Sequence, residues 1–472
     1  MINVHWLVFM VYGIVFMGSA VAVLFEKKEP AKTLAWLLVL FFLPVIGIVL
    51  YLVFGQDVRR KRNVNRRTMG LLKKRQMTSF LAQKNLVLPF EHRKLMQLFV
   101  NQDSAMPFKD NDIDIFVSGK ALFDDMISAI MAARQHVHLE TFIIEDDTLG
   151  NRVADVLMKK AREGVEVRLL YDDVGCWRVP SKFFQRMKNA GVDVRSSLPV
   201  RMPFLTNKID YRNHRKLCII DGTTGYIGGM NIADRYISGA NGQDWHDTHL
   251  RIKGNAVHGL QSAFLADWFF MDRKLITDHK YYPQPIEEIE NNCFVQVVTS
   301  SSASKWCNIM QGYVNILNNA KKYVYMETPY FLPTPSVLSA MQSAALSGID
   351  VRIVVPEKSD NWLVDVASRS FYPEVLKAGV KVYKYTKGFN HSKLLVCDDS
   401  LSTVGSTNID ARSFETNMEA NAFIYDSDTA IRLRRVFEND LAESKIMAGY
   451  PREATFFVRL WESAIRLLAP LL

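Results

Sequence analysis

Two nine-residue stretches of the chain, NHRKLCIID at 213–221 and NHSKLLVCD at 390–398, share one polar pattern. Each begins with Asn-His, has Lys two residues after the His and has Asp seven residues after it. The apolar residues between them indicate a buried strand, and side chains two apart on a strand point to the same face. Each stretch is therefore predicted to present an imidazole beside an ammonium group: His214 with Lys216, and His391 with Lys393.

The final aspartates of the two stretches, Asp221 and Asp398, fall where turns are expected, because Gly222 follows the first and Asp399 the second. An Asp side chain can stabilise such a turn by accepting hydrogen bonds from its own backbone. Both aspartates belong to the repeated pattern, so we include them among the candidate catalytic residues.

The similarity extends beyond these nine residues. HLETF parallels YMETP, which aligns Glu140 with Glu327, and IGGMNIADR (227–235) parallels VGSTNIDAR (404–412). Self-similarity over such a long period indicates a duplicated domain. Because predicted strands alternate with predicted helices in both copies, each half is expected to form an α/β sheet.

The doubled His–Lys pattern suits transfer of a phosphodiester. One imidazole can attack phosphorus, and the other can protonate the leaving oxygen and then deprotonate the acceptor. The two lysines, together with Asn231 and Asn408, can neutralise charge on the phosphate oxygens. This chemistry requires neither a metal nor a cofactor, and we predict none.

Each catalytic histidine also needs a carboxylate that orients its ring. The candidates are Asp247 in DWHDTHLRI and Glu419 in TNMEANAFI, each next to a predicted strand. The alternative is that both are ordinary surface charges.

The N-terminal region contains two uncharged stretches, 6–25 and 33–54. Each has roughly the twenty residues needed to span a bilayer as a helix. They predict a transmembrane hairpin, with a signal peptide or buried core helices as alternatives. The basic residues that follow, between 59 and 75, place that side in the cytoplasm, and the net charge of +9 favours an anionic membrane as partner.

The C-terminal segment, 451–472, predicts an amphipathic helix at the membrane interface. Arg452, Arg459 and Arg466 recur every seven residues, and apolar residues occupy much of the remaining surface. Packing of this helix on the catalytic domain is the alternative. The five cysteines are scattered and predict free thiols in a reducing compartment.

The doubled pattern, followed each time by a Gly-rich turn and an Asn, resembles the signature of the phospholipase D superfamily. The resemblance implies two tandem phospholipase D-like α/β domains with one shared active site, a phosphohistidine intermediate and no metal. It also implies that the carboxylate partner of each His lies about thirty residues downstream, where Asp247 and Glu419 fall. In this family the Asp of the motif is more structural than chemical.

Within that superfamily the whole chain resembles the bacterial cardiolipin synthases, through LPVIGIVLYLVFG, ETPYFLPT and GSTNIDARSF. This resemblance implies transfer of a phosphatidyl group from one phosphatidylglycerol to another at the bacterial inner membrane, with the catalytic domains in the cytoplasm. It suggests His214 as nucleophile and His391 as general acid and base. The first copy has Gly229 where the second has Ser406, so the two half-sites are expected to differ.

Three other functions are alternatives. A membrane-bound phospholipase D-type hydrolase would use the same residues. A nuclease is disfavoured, and no nucleic-acid partner is predicted, because the basic residues gather beside the predicted membrane spans and no aromatic–basic groove is evident. A non-catalytic scaffold is disfavoured because both motifs are complete.

The sequence predicts no particular oligomeric state. The predicted segments are the hairpin at 1–57, a basic linker at 58–105, the two phospholipase D-like domains at 106–285 and 286–450, and the C-terminal helix at 451–472.

Overall fold

The computed structural model describes the residues 4–25, 30–51, 77–81, 83, 86–200, 211–240, 242–283, 289–447, 449, 456–467 and 469. The chain forms two compact units. One comprises Met1–Asn63 with Val200–Ile209, and the other comprises Val64–Pro199 with Asp210–Leu472.

The described residues of the first unit form the apolar helices α1 (Val4–Phe25), α2 (Pro30–Phe42) and α3 (Pro44–Leu50). The second uncharged stretch is divided at Leu43, because the following proline disfavours helical backbone at that position. Val23, Leu40 and Tyr51 are buried together, while several larger apolar side chains are exposed, including Ile14 and Phe42. Across the described residues, no helix has both the length and the apolarity that a membrane span requires. The transmembrane hairpin at 1–57 is thus unconfirmed and stays a prediction.

The first lobe of the second unit is a mixed seven-stranded sheet with helices. Its strand order is β1-β8-β6-β5-β2-β3-β4. The elements are β1 (Asn111–Phe116), α5 (Gly119–Ala132), β2 (His136–Thr141), α6 (Thr148–Arg162), β3 (Glu166–Asp172), α7 (Ser181–Asn189), β4 (Asp193–Ser197), β5 (Leu217–Ile220), β6 (Thr224–Gly228), α8 (Arg235–Ser238), β7 (Asp244–His246), β8 (His249–Gly254) and α9 (Val257–Asp272), preceded in the chain by α4 (Arg93–Asp103).

The second lobe is a mixed eight-stranded sheet with the order β19-β13-β12-β10-β15-β16-β18-β9. Its elements are β9 (Phe294–Ser300), α10 (Asn308–Asn319), β10 (Tyr323–Glu327), β11 (Phe331–Leu332), α11 (Pro335–Leu346), β12 (Asp350–Pro356), α12 (Trp362–Arg369), α13 (Tyr372–Lys377), β13 (Lys381–Tyr385), β14 (Gly388–Asn390), β15 (Leu394–Cys397), β16 (Leu401–Gly405), β17 (Ile409–Asp410), α14 (Ala411–Glu415), β18 (Glu419–Tyr425), α15 (Ser427–Ala442) and β19 (Ser444–Ile446), followed by α16 (Phe456–Arg466).

The two sheets repeat one topology. In each, three parallel strands (β2, β3, β4 and β10, β12, β13) are followed across the sheet by an antiparallel hairpin (β5, β6 and β15, β16) and two further strands. This confirms the duplicated α/β fold.

An apolar layer shared by both lobes joins the two sheets. It buries Leu217, Ile219 and Leu250 of the first lobe with Val396 and Val404 of the second. The side chains of β5 and β15 alternate between this layer and the outer core of their own lobe, as the period of two predicts. Burying both faces of each sheet makes the two lobes one body.

The helix α4 lies inside the predicted basic linker, yet it is part of the second unit. Leu95, Met96 and Phe99 are buried in the core of the second lobe. Gln296 of β9 also donates a hydrogen bond to the carbonyl of Met96, at 3.1 Å from Nε2 to O. The helix therefore belongs to the same compact unit as the two lobes.

The C-terminal helix α16 packs on the second lobe, as the alternative interpretation predicted, and its role at the membrane interface stays a prediction. Ile465 and Ala469 are buried in the core of the second lobe, and Arg466 pairs with Glu374. Leu460 and Trp461 of the same helix are exposed. Arg452 and the side chain of Arg459 lie outside the described residues, so the arginine stripe stays a prediction. All five cysteines are free thiols, as predicted.

Candidate active site

The two motif histidines lie just ahead of β5 and β15, so the prediction that the strands include them was wrong. The reason is that their backbone pairs with the opposite lobe. The amide of His214 donates to the carbonyl of Met418 at 2.9 Å, and the amide of His391 donates to the carbonyl of His246 at 2.7 Å. β7 and β14 also pair in parallel beside the second of these bonds.

Each histidine ring is oriented by a carboxylate from the other lobe. Nδ1 of His391 lies 2.7 Å from Oδ2 of Asp247, and Nδ1 of His214 lies 3.1 Å from Oε2 of Glu419. Both carboxylates are fully buried. An Nδ1–H that donates to a carboxylate leaves the Nε2 lone pair free for chemistry, and both rings can therefore serve as nucleophile or base.

The two motif lysines are buried beside the histidines. Nζ of Lys216 donates to the carbonyl of His214 at 2.6 Å, and Nζ of Lys393 lies 2.9 Å from Nδ1 of His391. Burial lowers the pKa of Lys216 to about 7 and that of Lys393 to about 8. The carboxylates of Asp247 and Glu419 oppose this effect by raising both pKa values in part. Two ammonium groups held out of water in this way are poised to receive a phosphate anion.

The two half-sites differ electrostatically. Burial on its own would raise the pKa of Glu419, but His214, Lys216 and the Ser406 hydroxyl lower it below the ordinary value. For Asp247, burial prevails and the pKa is raised. The reason that the first copy lacks the serine is steric, because a Cβ on Gly229 would overlap the carboxylate of Asp247.

Comparisons with known proteins agree with this geometry. The family model described as "Cardiolipin synthase, PLD-like domain" matches residues 126–268 and 313–441, which are one segment in each lobe. This chain belongs to the cardiolipin synthase family. A second model, described as phospholipase D-nuclease N-terminal, matches residues 14–56.

Curated members of the cardiolipin synthase family match over nearly the whole chain. The cardiolipin synthase of Alkalihalophilus pseudofirmus is 38% identical over 470 residues, covering 98% of this chain and 92% of that protein. The major cardiolipin synthase ClsA of Bacillus subtilis is 39% identical over 469 residues, covering 96% of each. Among solved structures, the phosphatidylserine synthase of Haemophilus influenzae Rd KW20 matches with a TM-score of 0.63 at 15% identity, covering 81% of this chain and all of that chain, which shows a common fold.

The two asparagines predicted to bind phosphate have different surroundings in this family member. Asn231 accepts a hydrogen bond from the amide of Ile143 at 3.1 Å and donates one to the hydroxyl of Tyr236 at 2.7 Å. Oδ1 of Asn408 is buried, and no described residue forms a hydrogen bond with it. Phosphate binding by either residue stays a prediction, with Asn231 already engaged at both ends of its amide.

The motif aspartates stabilise a neighbouring strand, whereas a bond to their own turn was predicted. Asp221 accepts hydrogen bonds from the amides of residues 134–136 at the start of β2, each at 2.8 Å. Asp398 accepts from those of residues 321–323 at the start of β10, at 2.7 to 2.9 Å. Both have left-handed backbone, with φ of 52° and 53°. These contacts support a structural role, and none of them involves His214 or His391.

Sequence reasoning missed the aromatic surroundings of the site. The ring of Phe142 lies 5.0 Å from that of His214, between centroids, and Tyr236, Trp245, Tyr330 and Phe389 lie within 6.4 Å of His391. These residues come from separate elements of both lobes, so no local pattern identifies them.

Buried glutamates behind the site were noticed only as an aligned pair. The motif asparagines explain them: Nδ2 of Asn213 donates to Oε1 of Glu140 at 2.5 Å, and Nδ2 of Asn390 donates to Oε2 of Glu327 at 3.2 Å. The first residue of each motif thus anchors it to the neighbouring strand of its own sheet, β2 or β10. The alignment of HLETF with YMETP was the signal that could have revealed this contact.

Proposed function

We propose that this phosphatidyltransferase moves a phosphatidyl group from one phosphatidylglycerol to the headgroup hydroxyl of another, which gives cardiolipin and glycerol. The observation that carries the proposal is the reciprocal arrangement of two histidines, each oriented by a carboxylate of the other lobe, in a chain of the cardiolipin synthase family. Two such rings in one site can act in turn on the leaving group and on the acceptor.

In the first step, Nε2 of His214 attacks phosphorus and the bond from phosphorus to the glycerol oxygen breaks. His391 donates its proton to that oxygen, so neutral glycerol leaves. His214 becomes a positively charged phosphohistidine. The negative charge of Glu419 stabilises this cation, and the lowered pKa of Glu419 supports the choice of His214 as nucleophile.

In the second step, the hydroxyl of the second phosphatidylglycerol attacks phosphorus, the bond from phosphorus to His214 breaks, and His391 takes the hydroxyl proton. Burial and the nearby lysines hold the pKa of His391 well below its ordinary value in the free enzyme. An anionic phosphate favours the protonated form of a nearby imidazole, so substrate binding would raise the pKa of His391 and let it take up from solvent the proton that the first step requires.

The aromatic rings around the histidines support transfer over hydrolysis. Water competes with the second lipid for the phosphohistidine, and a site lined by Phe142, Trp245, Tyr330 and Phe389 disfavours bulk water once lipid chains are bound. The alternative activity, a phospholipase D-type hydrolase, would follow from the same histidines if water entered.

The membrane hairpin at 1–57, the cytoplasmic position of the catalytic lobes and the inner-membrane location are part of this proposal. The match of residues 14–56 to an N-terminal family model supports a conserved role for the segment. So do the many apolar side chains that α1 and α2 leave exposed, since such surfaces require apolar surroundings. The domain limits 106–285 and 286–450 are also proposals.

The proposal is tested on the purified full-length protein in phosphatidylglycerol vesicles containing EDTA, with lipid products followed by mass spectrometry. Cardiolipin and glycerol in equal amounts are expected. Phosphatidic acid alone would mean a hydrolase, and turnover only after addition of phosphatidylethanolamine would change the substrate pair. His214→Ala and His391→Ala are the catalytic controls, and both are expected to abolish turnover.

A further inference from the structure

The duplicated fold contains two buried acidic pairs at corresponding positions behind the active site. In the first lobe, Glu140 of β2 faces Asp267 of α9. In the second lobe, Glu327 of β10 faces Asp440 of α15. All four are nearly inaccessible to solvent. Two carboxylates that face each other out of water require a compensating positive charge.

The first pair is compensated by Arg215. Its guanidinium forms an ion pair with Asp267 and lowers the pKa of Glu140, against the effect of burial. The same guanidinium also donates to the carbonyl of Glu419 at 3.0 Å from Nε. Arg215 therefore joins the acidic pair of the first lobe to the strand that carries the carboxylate partner of His214.

The second pair has no such arginine, because Ser392 occupies the motif position that corresponds to Arg215. Nε2 of His246, from the first lobe, instead lies 2.7 Å from Oδ2 of Asp440. Oε1 of Glu327 is buried and has no hydrogen-bond partner among the residues that the structure describes. Among the described residues, His246 is the basic partner that forms an ion pair with this acidic pair, through Asp440.

We propose that His246, Glu327 and Asp440 bind a divalent cation of the Zn²⁺ or Mn²⁺ class. The three residues each offer one ligand atom, and these atoms lie within 4.8 Å of one another. One imidazole nitrogen and two carboxylate oxygens form a borderline donor set, which suits these ions better than Ca²⁺. His246 keeps 16% of its side chain exposed, which leaves a route of entry on that side.

The cation has a structural role that corresponds to that of Arg215. It joins the acidic pair of the second lobe to β7, and β7 is followed directly by Asp247, the carboxylate partner of His391. The carbonyl of His246 also accepts the backbone hydrogen bond from His391. No step of the transfer reaction involves this ion. The proposal therefore departs from the predicted absence of a metal only in giving the fold a structural ion, and the reaction itself stays metal-independent.

The proposal is tested by measuring the metal content of the full-length protein in detergent, after loading with Zn²⁺ or Mn²⁺ and dialysis against metal-free buffer. About one equivalent per chain is expected, and Glu327→Gln and Asp440→Asn should each lose it. The matched control is Glu438→Gln on the same helix, where the side chain is 46% exposed, and it should keep the metal.

A second variant makes the test independent of a folding defect. Ser392→Arg places in the second lobe the residue that the first lobe uses, so this variant should bind no metal and unfold at the same temperature with or without 1,10-phenanthroline. The parent protein should unfold several degrees lower after prolonged exposure to the chelator. A parent protein that binds neither ion and ignores the chelator would overturn the proposal in favour of a proton shared by Glu327 and Asp440. Metal retained by both carboxylate variants would overturn it too.

Discussion

Nδ1 of His391 lies 2.7 Å from Oδ2 of Asp247, although the two residues belong to different lobes and are 144 positions apart. The pair of His214 with Glu419 crosses between the lobes in the opposite direction, over 205 positions. Neither lobe therefore contains a complete half-site. The two copies are interdependent because each supplies the histidine of one half-site and the carboxylate of the other.

Asp247→Asn should impair the protonation of the leaving group. The amide that replaces the carboxylate can hold His391 in the wrong tautomer, and loss of general acid catalysis costs about 10² to 10⁴-fold in rate. A phosphatidyl ester of p-nitrophenol needs no proton on its leaving oxygen. Release of nitrophenol by Asp247→Asn should therefore approach the rate of the parent enzyme, while glycerol release from phosphatidylglycerol stays slow.

Glu419→Gln is the matched variant in the other half-site. It weakens the nucleophile itself, so nitrophenol and glycerol release should both be slow. If the nitrophenyl ester restored the rate of Glu419→Gln but not that of Asp247→Asn, the nucleophile would be His391 and the proposed roles would be contradicted.

The Gly–Ser difference between the half-sites gives a second prediction. Gly229→Ala should displace Asp247, because the new methyl group would overlap its carboxylate. A catalytic group misplaced by this much costs about 100-fold in kcat/KM. Ser406→Ala removes the hydrogen bond that the hydroxyl donates to Glu419 and the one that it accepts from the amide of Ala420, and about a tenfold loss is expected. Equal losses in the two variants would contradict the steric account of the missing serine.

The lowered pKa of Lys216 predicts an alkaline limit to activity. Burial brings this pKa from an ordinary value of 10.5 to about 7, so the free enzyme loses the ammonium charge as the pH rises through this range. Capture of an anionic substrate should weaken, and kcat/KM should fall above about pH 7 to 8. Lys216→Arg keeps its charge in this range and should lack this limb, with reduced activity. A flat profile for the parent enzyme up to about pH 9 would contradict the prediction.

The same group should make the free energy of unfolding depend on pH. Between about pH 7 and 10.5 the folded state binds fewer protons at Lys216 than the unfolded state does, so stability rises with pH over that window. The cost of burying the charge is present in full below about pH 7. Lys216→Met should therefore unfold at a higher temperature than the parent protein near pH 6 and should be catalytically inactive. A lower unfolding temperature for this variant would show that the lysine stabilises the empty site.

The sequence predicted those features that depend on residues close together in the chain, and it missed contacts between residues from distant elements. The duplicated sheet topology followed from aligned stretches such as HLETF and YMETP, because the strand period is a local property. The sequence also indicated Asp247 and Glu419, through the family resemblance, but it did not indicate that they cross between lobes. The cluster of His246, Glu327 and Asp440 was not predicted, because its members come from three distant elements. The role of Arg215 was missed because its motif position holds Ser392 in the other copy.

The exposed side of α16 gives the last prediction. Leu460 and Trp461 are each more than half exposed, whereas Ile465 packs in the core of the second lobe. Burying a large apolar side chain in a membrane interface contributes about 1.5 to 3 kcal/mol. The double variant Leu460→Gln, Trp461→Gln should therefore lower activity on phosphatidylglycerol vesicles at least about tenfold and leave activity on detergent-dispersed phosphatidylglycerol unchanged. Leu346→Gln, at an exposed leucine at the end of α11, is the control for loss of apolar surface. An equal loss on both forms of substrate would mean that the helix supports the catalytic lobe and not its contact with the membrane.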